Sequence, residues 1–151
     1  MNNGPSSVFL VRHGEVLNPG NVVYADLPGF PLSLTGRRQV EDSAERLPHR
    51  AAIVTSPVLR AVETATIIAG RRNGHVVQDE SLTEWGLGLR WAGHTWESLD
   101  DVFPGELTAY LDHPEHLPFL SESLAALAAR MEAAVRRHHS ASNAPLVVVI
   151  H

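Results

Sequence analysis

The sequence predicts an α/β fold: a three-layer sandwich whose mostly parallel sheet is covered by helices on both faces. Two observations predict it. Short apolar runs recur along the chain, "VFLV", "AAIV", "HVV" and "LVVVI", and strands buried on both faces read as continuous apolar runs rather than as alternation. Amphipathic helical segments separate these runs, as crossovers between parallel strands require.

Each element has its own signal. "VFLV", Val8 to Val11, is the first strand. In the loop "PGFPLSLTG" after it, Thr35 is the candidate N-cap of a helix; Val40, Ala44 and Leu47 share one face of it and Pro48 ends it. "AAIVTS" is the second strand, leading to Ser56 as N-cap and Pro57 at the first helical position. Leu59, Val62, Ala65 and Ala69 form the apolar stripe of that helix, and Gly70 is its expected stop. "HVVQ" is the third strand. From Thr83 to Pro118 the periodicity dissolves into an excursion containing Gly, Trp and Pro, with one short helix near "ELTAYL". From Ser121 an amphipathic helix presents Leu124, Leu127, Met131 and Val135 on one face, and "APLVVVIH" is the last strand. No repeat, low-complexity tract or linker interrupts the pattern, so residues 1–151 read as a single domain.

Composition narrows the function. The chain has 151 residues, 44% hydrophobic and 19% charged, with no cysteine, so disulfides and thiolate metal sites are excluded. Twelve Lys+Arg against seventeen Asp+Glu give a net charge of -5, which argues against a nucleic-acid partner but not against a small anion held by a few local arginines. No apolar run is long enough to span a bilayer, and "MNNGPSSVFLVRHG" lacks a signal-peptide pattern. A cytoplasmic protein with no membrane partner is expected.

Ligands of open α/β sheets bind beyond the C-terminal ends of the strands. The first strand ends in Arg12 and His13. The second ends in Ser56, with Arg60 in the next helical turn, and the last ends in His151. If these strands are neighbours, two histidines and two arginines meet at one edge, forming an anion site with a nucleophile or base at hand. Taken alone, each histidine fits a structural role and Arg60 fits an ordinary pair with Glu63. Elsewhere, "HPEH" (His113, Glu115, His116) lacks a third convincing metal ligand. His138 and His139 fit the C-terminal end of a helix, where cations complement the dipole. Trp85, Trp91 and Trp96 are expected to pack the excursion down as a lid.

Several ordered segments resemble the histidine phosphatase superfamily, the phosphoglycerate-mutase-like proteins. "LVRHGE" is similar to that family's signature. "PLSLTGRRQVE", "VTSPVLRAVETATIIA", "LTEWGLGLRWAGHTWESL", "SESLAALAARM" and "LVVVIH" resemble its later segments, although Ser121 stands where a glycine is usual. The resemblance implies that His13 is a nucleophile forming phosphohistidine, with Glu84 as proton donor. It further implies that Arg12, Arg60 and His151 bind the phosphoryl oxygens and that Asn18, one residue short of the usual offset, contacts phosphate. No metal and no cofactor is implied.

The expected function is a metal-independent phosphatase acting on a small phosphomonoester. The alternatives are phosphoglycerate mutase-type transfer, against which the short excursion counts, and a non-catalytic phosphate- or protein-binding domain on the same fold. Members of the family continue past the second histidine through a helix and a strand. The domain is therefore expected to be truncated after His151, lacking the usual C-terminal helix and strand. Weakened activity and an uncovered edge inviting homo-oligomer formation are expected to result. The substrate's identity is not encoded in any motif; Tyr24 and Phe30 are candidates to stack on a ring-bearing alcohol.

Overall fold

The computed structural model describes residues 7–25 and 27–151. Residues 1–6, where the sequence shows no signal-peptide pattern, and Asp26 in the "NVVYADLPGF" loop lie outside the described residues. Among the described residues no helix is long and apolar enough to cross a membrane.

Four strands, β1 (Val8–Arg12), β2 (Ala52–Thr55), β3 (His75–Gln78) and β4 (Leu146–Ile150), form one sheet in the order β1-β4-β2-β3, with every pair parallel. The last strand in sequence is thus inserted into the middle of the sheet. That position explains its composition: Leu146, Val147, Val148 and Val149 are all buried, as a strand covered on both faces requires.

The helices are α1 (Leu34–Ala44), α2 (Leu59–Arg72), the short α3 (Leu87–Trp91), α4 (Leu99–Val102) and α5 (Glu106–Asp112), and the long α6 (Leu124–Ser140). Alternate strand residues sort into two cores. Phe9, Val11, Ile53, Val147 and Val149 face α1 and α2, which pack against each other through Val40, Ala44, Ala61, Ala65 and Ile68. Val54, Leu146, Val148 and Ile150 face the other way, toward Ala134 and Val135 of α6 and the buried Leu82. These are the three expected layers.

The first strand differs from expectation. As an edge strand, β1 is covered on one face only, leaving Val8 39% and Leu10 65% exposed. The cover from α6 stops short of it, opening an apolar groove of about 530 Å³ between the two.

Helix boundaries also shift. Ser33, not Thr35, caps α1: its backbone is extended and its Oγ accepts from Gly36 N at 2.9 Å, so Thr35 already lies in the first turn. The helix ends at Ala44, ahead of Leu47 and Pro48, and its end group is satisfied twice: Leu47 N and the buried Arg72 side chain both donate to the Ala44 carbonyl. Val58, not Ser56, is the N-cap of α2, and the helix runs past Gly70 to a left-handed cap at Asn73, φ 52°. Its buried face is Ala61, Thr64, Ala65 and Ile68 rather than the stripe beginning at Leu59, which is 45% exposed. Arg60 and Ala61 both turn inward, and Leu59, two residues and so about 200° round the helix from Ala61, turns outward.

The excursion expected from Thr83 to Pro118 packs around a small core that also takes in Phe119 and Leu120, so that it spans residues 83–120. Val23, Leu87, Trp91, Leu99 and Leu117 are buried there, with Trp85, Phe103, Leu107, Tyr110 and Phe119 packed around them. Trp91 meets the rings of Trp96 and Tyr110 edge-on at 6.0 and 5.7 Å. Its indole N–H reaches Glu106, which also receives a two-pronged contact from Arg90. The short helix expected near "ELTAYL" is α5.

Candidate active site

Three strand exits sit side by side. His13 N donates to the Ile150 carbonyl at 3.0 Å and Ser56 N to the Val149 carbonyl at 3.1 Å, so the parallel ladder runs one step past the strands. The order β1-β4-β2 therefore places His151 between His13 and Ser56. The imidazole centroids of His13 and His151 lie 5.6 Å apart with planes inclined at 61°. The convergence of strand-end residues that the sequence predicts is present.

Arg60 is the hub. Although charged, it is 1% exposed, and each part of its guanidinium is engaged. Nε donates to His13 Nε2 at 3.2 Å, Nη1 to the Ala25 carbonyl at 2.5 Å, and Nη2 to both His151 Nδ1 at 3.0 Å and the Glu84 carboxylate. The Tyr24 ring lies 4.7 Å from its Cζ and itself stacks on Phe30, so the two aromatic candidates from the sequence pack on the hub and on each other. Glu63, the alternative partner for Arg60, accepts from Arg37 and from Leu32 N instead.

These contacts fix both tautomers. The Gly14 carbonyl, 2.8 Å from His13 Nδ1, can only accept, so Nδ1 carries the proton and the Nε2 lone pair receives Arg60 Nε–H. An arginine nitrogen can only donate, so His151 Nδ1 is unprotonated and its Nε2–H faces Ser56 Oγ at 2.8 Å. Electrostatics agree. Burial first, then the charges of Arg60 and Arg12, lower the His13 pKa to about 4 against the pull of the Gly14 carbonyl. Burial, Arg60, His13 and Arg12 lower that of His151 to about 3. Both rings are neutral at pH 7.

The loop carrying His13 is clamped onto the start of α1. Ser33 N donates to the Glu15 carbonyl, Ser33 Oγ to the Glu15 carboxylate, and Glu15 N to Gln39. A Cβ on Gly36 would stand 2.0 Å from the Glu15 carbonyl oxygen, and one on Gly14 would stand 2.5 Å from the Gly36 carbonyl oxygen. Both positions need glycine so that loop and helix can touch. Gly14 N also reaches Thr64 Oγ1, whose hydroxyl bonds back to the Arg60 carbonyl, tying β1 to α2.

Outside the two imidazoles lies a cavity of about 450 Å³ with a largely polar lining that includes Arg12, His13, Glu15, Asn18, Asn21, Tyr24 and Gln39. The apolar groove beside β1 is larger but lies away from this constellation. Arg12, exposed at the end of β1, joins the site through the cavity wall. Asn18 lines the cavity too, but its amide closes the local loop, Nδ2 donating to the Val22 carbonyl and Oδ1 accepting from Val22 N. Glu84 arrives from the far side, two residues after a short 3-10 turn at Glu80–Leu82, and its Oε2 is 3.9 Å from His151 Nδ1.

Other candidates fall into place elsewhere. His113 and Glu115 make a 3.4 Å contact on the exposed surface, and among the described residues no three His, Asp or Glu side chains gather as a metal ligand set would. His138 does more than complement a helix dipole. With Arg137 it grips Asp79 at 2.7 and 2.6 Å, joining α6 to the end of β3 and holding the Asp79 carboxyl well below the usual carboxylate range.

Sequence reasoning did not identify the supporting roles of Ser56, Thr64 and Ala25 around Arg60 and His151, or that of Arg130 behind Glu84. Ser56 carried a signal, standing next to a proline at a helix start, but that signal pointed to capping. For the others the contact is made by a backbone carbonyl or a distant hydroxyl, which leaves no trace in residue type.

Comparison with known proteins shows the family and the fold. The model of the histidine phosphatase superfamily (branch 1) matches residues 8–151. An uncharacterized protein of Mycobacterium tuberculosis is 46% identical over 81 residues, covering 52% of this chain and 40% of that relative. Phosphoserine phosphatase 1 of Hydrogenobacter thermophilus is 31% identical over 152 residues, covering 95% of this chain and 70% of that relative. The native structure of a mycobacterial glucosyl-3-phosphoglycerate phosphatase superposes with a TM-score of 0.81 at 28% identity, over 97% of this chain and 74% of that one. The chain thus spans between two fifths and about three quarters of the proteins it is compared with. With the family model running from the first strand through both histidines, the chain belongs to the histidine phosphatase superfamily, branch 1.

Proposed function

We propose that this site hydrolyses a small phosphomonoester through a phosphohistidine on His13, without a metal ion. One observation carries the reading. The neutral His13 ring holds its Nε2 lone pair beside a buried guanidinium, a second imidazole and a carboxyl group, at the rim of a polar cavity. Phosphoryl transfer needs these elements: a positioned nucleophile, fixed donors for the equatorial oxygens, and an acid for the leaving oxygen.

Glu84 occupies an Arg60 nitrogen that a phosphoryl oxygen would claim. The arriving ester displaces the carboxylate, and Glu84 comes to lie beside the ester oxygen carrying a proton, because two anionic groups so close disfavour one another. Arg60 and Arg12 hold the phosphoryl oxygens as charge-assisted donors. His151 joins them by placing its proton on Nδ1 while the Ser56 hydroxyl turns to donate to Nε2. His13 Nε2 then bonds to phosphorus as the P–O bond to the alcohol breaks, and the Glu84 proton passes to the leaving oxygen. In the second step Glu84 takes a proton from water, the hydroxide bonds to phosphorus and the N–P bond breaks. Phosphate, neutral His13 and protonated Glu84 result. Asn18 bounds the cavity and steers the ester through the loop it closes. The size and polarity of the cavity favour a small polar alcohol over a peptide.

The test is hydrolysis of p-nitrophenyl phosphate in the presence of a chelator. Turnover that disappears with His13→Ala, with an acid-labile phosphoryl label on His13 in the parent protein, is expected. Exchange that depends on a bisphosphorylated primer and shows negligible hydrolysis would assign a mutase instead. Phosphate binding with no label at His13 would leave a binding domain.

A further inference from the structure

Glu84 is held from behind. Arg130, on the second turn of α6, points its guanidinium at the backbone of the loop that carries Glu84. Nη1 donates to the carbonyls of Ser81 and Thr83, both at 2.9 Å, and Nη2 approaches the Glu84 carbonyl at 3.5 Å. The other edge of the same guanidinium is gripped by Glu122, Nε to Oε1 at 2.5 Å and Nη2 to Oε2 at 3.0 Å. The Glu122 carbonyl in turn accepts the indole N–H of Trp85 at 2.9 Å. One residue pair therefore fixes the backbone immediately before Glu84 and the side chain immediately after it.

We infer that the Arg130–Glu122 pair is a positioning device for the Glu84 carboxyl group, setting where its proton is delivered without itself reaching the reacting atoms. The inference rests on Glu84 being the proton donor. Chemistry favours this role over a purely stabilising one. Glu122 and Arg130 are eight residues apart, with Glu122 outside the helix, so they are not an ordinary i,i+4 surface pair. Both are about a quarter exposed, 26% and 28%, and an ion pair that open to water adds little stability by itself. What the fork does supply is direction: a planar, two-sided donor array that a lysine cannot reproduce. No regular helix or strand holds residues 83–86, so these donors substitute for one. The Glu84 carboxyl reaches its place at Arg60 from backbone anchored on the opposite side of the loop.

The consequence is specific to the leaving group. A misplaced acid slows expulsion of a basic alkoxide and hardly affects expulsion of an acidic phenoxide, which needs no proton. The ratio of kcat/KM for an alkyl phosphate to that for 2,4-dinitrophenyl phosphate isolates this step, since kcat/KM reports only events up to formation of the phosphohistidine. Arg130→Lys should lower kcat/KM for the alkyl ester by about 10–100-fold, the sensitivity expected of an ångström-scale misplacement, and that for the dinitrophenyl ester by less than about threefold. Glu84→Gln serves as the reference and should show the same asymmetry, only larger. Equal losses on both esters in Arg130→Lys, or no loss, alongside an asymmetric Glu84→Gln would overturn the positioning role and leave the acid in place. A symmetric Glu84→Gln would remove the acid and the inference with it. Should Arg130→Lys fail to fold, Glu122→Gln keeps the arginine but weakens its hold. An asymmetric loss in that variant supports the positioning role, and an equal loss or none overturns it.

Discussion

The crown of polar groups around Arg60 and the aromatic core of the 83–120 excursion are built on opposite rules. In the crown, the backbone does the placing. Parallel strands end in register, and each side chain is then held by another polar group: His13 by Gly14 and Arg60, His151 by Ser56 and Arg60. In the excursion the backbone is broken into the short helices α3, α4 and α5, and their arrangement is set by apolar contact around Trp91, with Glu106 and Arg90 closing its polar end. The difference teaches where each region is vulnerable. Changes in the crown should cost chemistry before stability; changes in the excursion core should cost stability before chemistry.

The largest expected effect tests the excursion. Trp91→Ala empties a site that is 1% exposed and should lower the unfolding free energy by about 3–5 kcal/mol, read from urea denaturation. At low temperature the folded fraction should keep a near-parental turnover per active molecule. Loss of turnover with the fold intact would mean that the aromatic core, and not only Glu84 at the start of the excursion, reaches the chemistry.

Next, in the crown, Arg60→Lys keeps the charge but cannot bond His13, Ala25, Glu84 and His151 at once. Turnover should fall by on the order of 10²–10³-fold, the usual cost of losing one fixed donor at a developing charge. A fall of less than about fivefold would show that the hub is structural.

The third prediction concerns pH. Folded His13 and His151 titrate near 4 and 3, below the ordinary imidazole value of about 6.5. Between those limits the unfolded chain binds protons that the folded one does not, so stability must fall as pH drops from about 6.5 to about 4 through both rings, and on to about 3 through His151 alone. It levels off once the folded rings are protonated. Each ring contributes at most about 1.4 kcal/mol per pH unit. His151→Asn should flatten the slope measured by denaturation at pH 4.5–6.5; an unchanged slope would place the proton uptake elsewhere. Asp79, whose carboxyl is held down by His138 and Arg137, acts in the same direction only below the usual carboxylate range.

The smallest effect joins the two measures. Ser33→Ala removes the α1 cap and the hydroxyl that holds Glu15. A loss of about 1 kcal/mol is expected, with a modest rise in KM for phosphate esters as the loop after His13 loosens. Calorimetry and steady-state kinetics on the same variant separate the two.

Much of the site was legible because a parallel sheet sends its strand ends to one edge. Arg12, His13, Arg60 and His151 could be read together from the residues just beyond each apolar run, while Glu84 was legible only by likeness to a family. The capping residues were misread at Thr35 and Ser56 because a hydroxyl one or two residues from a helix start is an equally good candidate in sequence. Only the backbone angle at Ser33 and the imidazole beside Ser56 decide what each hydroxyl does. The outward turn of Leu59 could not be foreseen either, since nothing in an apolar stripe shows that an arginine will displace it.

By itself the sequence determined the layered α/β fold and the set of groups that stand at the strand ends, because apolar runs and helical periods dictate which faces are buried and where each strand stops. Tertiary structure alone decided the central place of β4, the tautomers of His13 and His151, and the grip of Arg130 behind Glu84. Each of these depends on which donor or acceptor from a distant segment stands within about 3 Å, and residue order does not record such distances.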